Sequence, residues 1–152
     1  EHEVAFILIG GMNFLLRHAP VLTYDVDLWI EDTPENLDRC ERALADLQAE
    51  WGASDDNWEP VAEKRSGWLS RQSVFCLTSP YGAIDVFRSV RGLDPWTVCR
   101  GRARVEWTAS GVGYLGLSDE DMLASQEALA EGERKPDRIR TLRDSLRRAG
   151  DV

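Results

Sequence analysis

The chain has 152 residues, of which 43% are hydrophobic and 30% charged, and its net charge is −9. This length fits one domain whose core needs neither disulfides nor a structural metal, and the acidity excludes a protein whose whole surface coats nucleic acid. The longest apolar run, Val4 to Ile9, is too short to cross a bilayer, so no membrane partner is expected.

Val4 to Ile9 reads as a buried strand ending at Gly10-Gly11. Met12 to His18 then reads as a short helix stopped by Ala19-Pro20. Leu22 to Ile30 is a second strand. Its alternation places Thr23, Asp25, Asp27 and Trp29 on one face and Tyr24, Val26, Leu28 and Ile30 on the other. Thr33 is placed to cap a helix with Pro34 at its first position. Leu37, Cys40, Leu44 and Leu47 give that helix an apolar stripe, and it ends near Gly52. Residues 53–72 are polar and read as a long loop.

Two strands, 74–78 and 83–88, flank the turn Ser79-Pro80-Tyr81-Gly82, and Asp85 shares a face with Ala83 and Phe87. Further strands are expected at 104–108 and 112–115. Ser118 caps a helix with acids in its first turn and Leu117 and Met122 spaced as a hydrophobic staple. It runs to about Leu129, and Gly132 breaks it. Pro136 opens a last helix with Ile139, Leu142, Leu146 and Ala149 on its apolar side. The expected fold class is α+β (mixed α/β), a central mixed sheet flanked by helices. We expect a single domain over residues 1–152, with a helical C-terminal part at about 118–149.

Cys40, Cys76 and Cys99 are odd in number and form no Cys-x-x-Cys pair, so neither a zinc site nor a disulfide framework is expected. Reduced thiols in a cytoplasmic protein are the natural reading. No basic-then-apolar leader opens the chain, and it does not begin with methionine, from which we expect a trimmed N-terminus. The acidity is uneven: Arg134, Lys135, Arg138, Arg140, Arg143, Arg147 and Arg148 form a basic run. Alone, such a run is a solvated helix face, although it is also compatible with holding a triphosphate or an RNA end.

The chemistry concentrates in Thr23-Tyr24-Asp25-Val26-Asp27. Carboxylates at i and i+2 of a strand project side by side and can hold a hard cation such as Mg²⁺. Asp85, from another strand, supplies a third acid, which completes the parts of a two-metal site for in-line displacement at phosphorus. Gly10-Gly11 allows close backbone approach, and the helix that follows turns its positive N-terminus toward phosphate oxygens. Lys135 is the best candidate to neutralise a departing diphosphate. Taken singly, Gly-Gly is a tight turn, Asp-x-Asp a pair of solvated acids and Asp85 a salt-bridge partner; the combination carries the inference.

Ile7-Leu8-Ile9-Gly10-Gly11-Met12-Asn13, followed by Thr23-Tyr24-Asp25-Val26-Asp27-Leu28, resembles the signature of the DNA polymerase beta-like nucleotidyltransferase superfamily. Within it the chain is most similar to the small bacterial branch that includes abortive-infection type toxin nucleotidyltransferases. Leu123-Ala124-Ser125-Gln126 and Arg134-Lys135-Pro136-Asp137 resemble the C-terminal pattern of that branch. The resemblance runs from about residue 5 to residue 147, specific in the first third and loose after Asp85.

It implies a nucleotidyltransferase fold and transfer of a nucleoside monophosphate from a nucleoside triphosphate to a hydroxyl, with Mg²⁺ (or Mn²⁺) and release of pyrophosphate. Asp25, Asp27 and Asp85 would be the catalytic metal ligands, and Gly10, Gly11, Thr23 and Lys135 would contact the nucleotide. The acceptor would be tRNA or another RNA, a protein or a small molecule, and a toxin–antitoxin pairing would add a cognate antitoxin. Three departures stand out: Gln126 and Leu22 occupy positions where basic residues are common, and His18-Ala19 replaces a frequent His-Gly. These favour an alternative, a non-catalytic nucleotide-binding or partner-binding module on the same fold. His18 reads as a helix-end cap sooner than a general base. Of the six tryptophans, Trp58 and Trp68 are the candidates for base stacking and the others for packing.

Overall fold

The order of elements in the computed structural model follows the burial rhythm of the sequence. Residues 1–18, 20, 22–52 and 57–150 are described; expectations for Ala19 and for residues 53–56 fall outside them. Strand β1 (Phe6–Ile9) runs directly into helix α1 (Gly10–Arg17), followed by β2 (Asp25–Ile30) and α2 (Pro34–Asp46). A small hairpin-like pair, β3 (Glu50–Trp51) and β4 (Glu59–Pro60), precedes β5 (Val74–Leu77) and β6 (Ala83–Phe87). Then come α3 (Trp96–Arg102), β7 (Arg104–Trp107), β8 (Gly113–Gly116), α4 (Asp119–Glu127) and α5 (Pro136–Gly150).

Six strands form one mixed sheet in the order β5-β6-β2-β1-β8-β7. β2 pairs antiparallel with β1 and parallel with β6, and β1 pairs parallel with β8. This is the mixed sheet flanked by helices that the pattern predicts. The sheet separates two apolar clusters. One holds Ile30, Ile84, Val86, Phe75 and Leu77 beneath the α2 stripe of Leu37, Cys40 and Leu44. The other holds Ile7, Ile9 and Trp29 with Phe14, Trp96, Met122 and Leu142, which come from four different helices. Alternation along the strands sends successive residues to opposite clusters.

The capping signals hold. The Thr33 hydroxyl accepts the Asn36 N–H with Pro34 in the first turn, and the Ser118 hydroxyl accepts the Asp121 N–H. Leu117 and Met122 lie buried in one cluster, as the staple requires. Three expectations change. The second strand starts at Asp25, not Leu22, because Leu22 and Tyr24 are exposed and, among the described residues, have no strand to pair with. Leu47 ends α2 as a 40% exposed cap, and Ala49 takes the buried place after it. Trp68 is not a loop-borne stacking platform. It is 4% exposed and packs edge-on against Phe75, with ring centroids 5.3 Å apart, inside a short 3-10 segment Trp68–Arg71. The described part of 53–72 is therefore largely structured, its apolar residues Val61, Trp68 and Leu69 sealing the α2 cluster. Helix α3 had no expectation; with seven residues including Gly101, its only signal is Trp96 and Cys99, buried one turn apart.

One polar clamp ties α2 to the start of β1. Asn36, 2% exposed, accepts the Ala5 N–H at 2.7 Å and donates to the Ala5 and Glu31 carbonyls at 2.9 Å each. Asn36→Ala orphans the Ala5 N–H, while the Ala5 and Glu31 carbonyls keep the Glu31 and Thr33 N–H donors, so chemical denaturation should show a loss of about 1–3 kcal/mol with an unchanged m-value.

Candidate functional site

The register of three strands assembles the acids. Asp27 of β2 lies directly opposite Asp85 of β6, and Asp25 opposite Ala83. On the outer side of β6, Cys76 of β5 faces Asp85, and on the inner side Ile9 of β1 faces Asp27. One row across the sheet therefore reads Cys76, Asp85, Asp27, Ile9, on the face that carries the Trp29 cluster. Asp25, Asp27 and Asp85 each offer an oxygen within 4.8 Å of the others. The structure thus brings together the three acids that the sequence singled out.

Gly10 follows Ile9 at once, with φ of +72°. A β-carbon there would sit 2.2 Å from Asp27 Oδ2, so only glycine lets the backbone close on this carboxylate. Gly11 is similarly confined: its β-carbon would lie 3.0 Å from Thr23 Oγ1 and 3.2 Å from an Arg138 Nη atom. Helix α1 begins at these glycines with no side-chain cap and no acid in its first turn, which leaves its positive end bare beside the acids. Thr23 Oγ1 donates to the Asp25 carbonyl at 3.3 Å, steadying the entry to β2.

Of the basic residues, Lys135 is exposed, and its backbone N–H donates to Gln126 Oε1 at 2.8 Å. Within the basic run, Arg138 is the residue that reaches Gly11. Its guanidinium lies 5.7 Å from the Phe14 ring centroid and lowers the proton affinity of Asp27. It sits in the basic run that the sequence made visible, but one turn beyond the residue chosen there. His18 caps α1 through its backbone, and its Nε2 lies 2.8 Å from Asp119 Oδ1, away from the three acids. Beside Asp27 and Gly10 opens a cleft of about 430 Å³, walled by Phe87, Ser89, Val90, Arg91 and Leu129. A cleft of about 570 Å³ bordered by Ala49, Pro60 and Thr78 lies among α2-side residues and includes one acid, Glu50.

The electrostatics of the trio are strained. Burial first, then the Asp85 charge and a hydrogen bond to Asp85, then Asp25, raise the Asp27 pKa to about 7. Burial and Asp25 also push Asp85 up. Asp27 Oδ1 is buried and has no hydrogen-bond partner among the described residues. Three convergent oxygen donors, one of them orphaned, fit a hard divalent cation and offer no soft ligand. Cys76 is no substitute, since burial and the neighbouring acids raise its pKa and keep it a thiol.

This strain has a pH signature. An unfolded Asp27 releases its proton near pH 3.8, whereas the folded one holds it up to about pH 7. Across that window the folded chain binds the extra proton, so the stability of the metal-free protein falls as pH rises. Denaturation midpoints measured through the window should decline, and Asp27→Asn should flatten the decline. No family model matches the chain, and a search of curated proteins finds no match either.

Proposed function

We propose that the chain is a metal-dependent nucleotidyltransferase, moving a nucleoside monophosphate from a nucleoside triphosphate to a hydroxyl acceptor. The observation that carries this reading is the convergence of Asp25, Asp27 and Asp85 within 4.8 Å beside the bare amino end of α1. Carboxylate trios elsewhere can be structural, but a trio joined to a glycine-opened helix N-terminus offers a cation seat and a phosphate seat together. With Mg²⁺ bound, the added chemistry is charge neutralisation at the phosphoryl oxygens.

The chain's own residues do the rest. Asp25 and Asp27 would hold the cation, and Gly10 and Gly11 let the phosphate chain approach the backbone, with Thr23 alongside. Asp85 takes the proton of the acceptor hydroxyl. The acceptor oxygen forms a bond to the α-phosphorus, the bond from that phosphorus to the bridging oxygen breaks, and pyrophosphate leaves. The acceptor would be an RNA end, such as that of a tRNA, a protein hydroxyl or a small molecule, and a cognate antitoxin would be a partner if the chain is the toxin of a pair. A second reading, a module that binds nucleotide without turning it over, draws on Gln126. That side chain is uncharged and accepts the Lys135 backbone N–H.

The two readings separate in one assay. The protein is incubated with Mg²⁺ and each labelled nucleoside triphosphate, offered bulk RNA and cell protein. Transfer of label with pyrophosphate release is expected, falling by at least roughly a thousandfold in Asp25→Ala or Asp85→Asn as several kcal/mol of transition-state stabilisation is lost. Nucleotide binding without transfer favours the module, and neither metal nor nucleotide binding defeats both.

A further inference from the structure

Arg138 stands where helix electrostatics disfavour a cation. It lies in the first turn of α5, near that helix's own positive end. Its guanidinium also points at a second positive end, the amino terminus of α1, with an Nη atom 3.2 Å from where a Gly11 β-carbon would be. Three other arginines of α5 behave differently, and the fourth, Arg148, is unpaired among the described residues but exposed near the far end of the helix. Arg140, Arg143 and Arg147 pair with Asp137, Glu127 and Asp144. Among the described residues Arg138 forms no salt bridge; Asp27 feels its charge without being bonded to it. Its guanidinium carbon lies 5.7 Å over the Phe14 ring, a contact that leaves its N–H groups unsatisfied. The amino end of α1 and an unpaired guanidinium thus meet at one spot, with the Thr23 hydroxyl beside them. A spot of that composition calls for a multiply charged oxyanion.

We propose that Arg138, and not Lys135, seats the terminal phosphates of the nucleotide at the amino end of α1. The inference rests on the nucleotidyltransferase reading and names the cation that reading needs. Arg138 acts as a binding and positioning residue: it grips the part of the triphosphate that leaves and so orients the α-phosphorus over Asp25 and Asp27. It also explains how a chain with Gln126 at a commonly basic position can hold a triphosphate, since the charge comes from the next helix.

The test uses the whole chain and calorimetric titration with Mg²⁺-tripolyphosphate, alongside Mn²⁺ alone. Arg138→Met keeps the stem over Phe14 and removes the charge. It should weaken tripolyphosphate binding about 10- to 100-fold, the loss of a hydrogen bond to a charged group, with an unchanged unfolding midpoint. Arg138→Lys should recover part of the loss, and Lys135→Ala should stay within about twofold of the parent. Mn²⁺ alone should bind Arg138→Met more tightly, because a positive charge beside Asp27 is gone; a purely structural role would not produce that gain. If Arg138→Met binds tripolyphosphate as the parent does, or if Lys135→Ala shows the loss, the proposal is overturned. Parent protein that binds Mn²⁺ but not tripolyphosphate overturns it alone. Parent protein that binds neither overturns the nucleotidyltransferase reading along with it.

Discussion

The parallel pairing of β2 with β6 is the constraint on which the site depends. It sets Asp27 against Asp85, while Ile84 and Val86, the residues on either side of Asp85, face the α2 cluster. Because side chains alternate, a slip of one residue would drive Asp85 into that apolar cluster and expose Ile84 and Val86 on the other face. Val86 is wholly buried and Ile84 nearly so, so the core itself enforces the register. The acids therefore converge as a consequence of how hydrophobic residues are sorted, and no separate polar scaffold is needed to bring them together.

A second consequence follows from the antiparallel pairing of β1 with β2. Ile9, the last residue of β1, faces Asp27, so the chain must turn away at the acid. The turn takes a single residue, Gly10, and α1 begins there without an intervening loop. Position and polarity of the helix end are thus fixed by the same ladder that positions the carboxylate. A longer connection would carry the bare N–H groups away from Asp27. A β-carbon at residue 10 would force the two apart.

Much of this is legible in the sequence. The alternation in 22–30 and 83–88 gives the faces of Asp25, Asp27 and Asp85, because period-two burial is a local property. The caps at Thr33 and Ser118 and the turn at 79–82 are local too. What stayed hidden depends on tertiary neighbours. Trp68 lies in a polar stretch whose composition suggests a loop, and only Phe75, from another element, makes it core. Helix α3 is too short to show a period. Arg138 and Lys135 are three residues apart in one basic run, and their difference lies in the direction α5 takes across Phe14, which no local pattern encodes.

The other buried and half-buried acids with polar partners show why the trio stands apart. Glu41 accepts the backbone N–H groups of Gly67 and Leu69, and Asp121 accepts Arg102 through both oxygens and the Ser118 hydroxyl. Burial pushes Asp119 up, but the His18 ring, the Ser145 hydroxyl and Arg17 outweigh it and hold the carboxyl below its usual range. At these three places the fold supplies donors to match the burial. At Asp27 it supplies two more acids and leaves Oδ1 without a partner among the described residues. A chain that satisfies Glu41, Asp119 and Asp121 so fully has the means to satisfy Asp27. Left so, the trio would be relieved more fully by a divalent cation than by a proton, since two positive charges offset more of the mutual repulsion than one. The imbalance is thus the physical ground on which the trio is proposed as a cation seat.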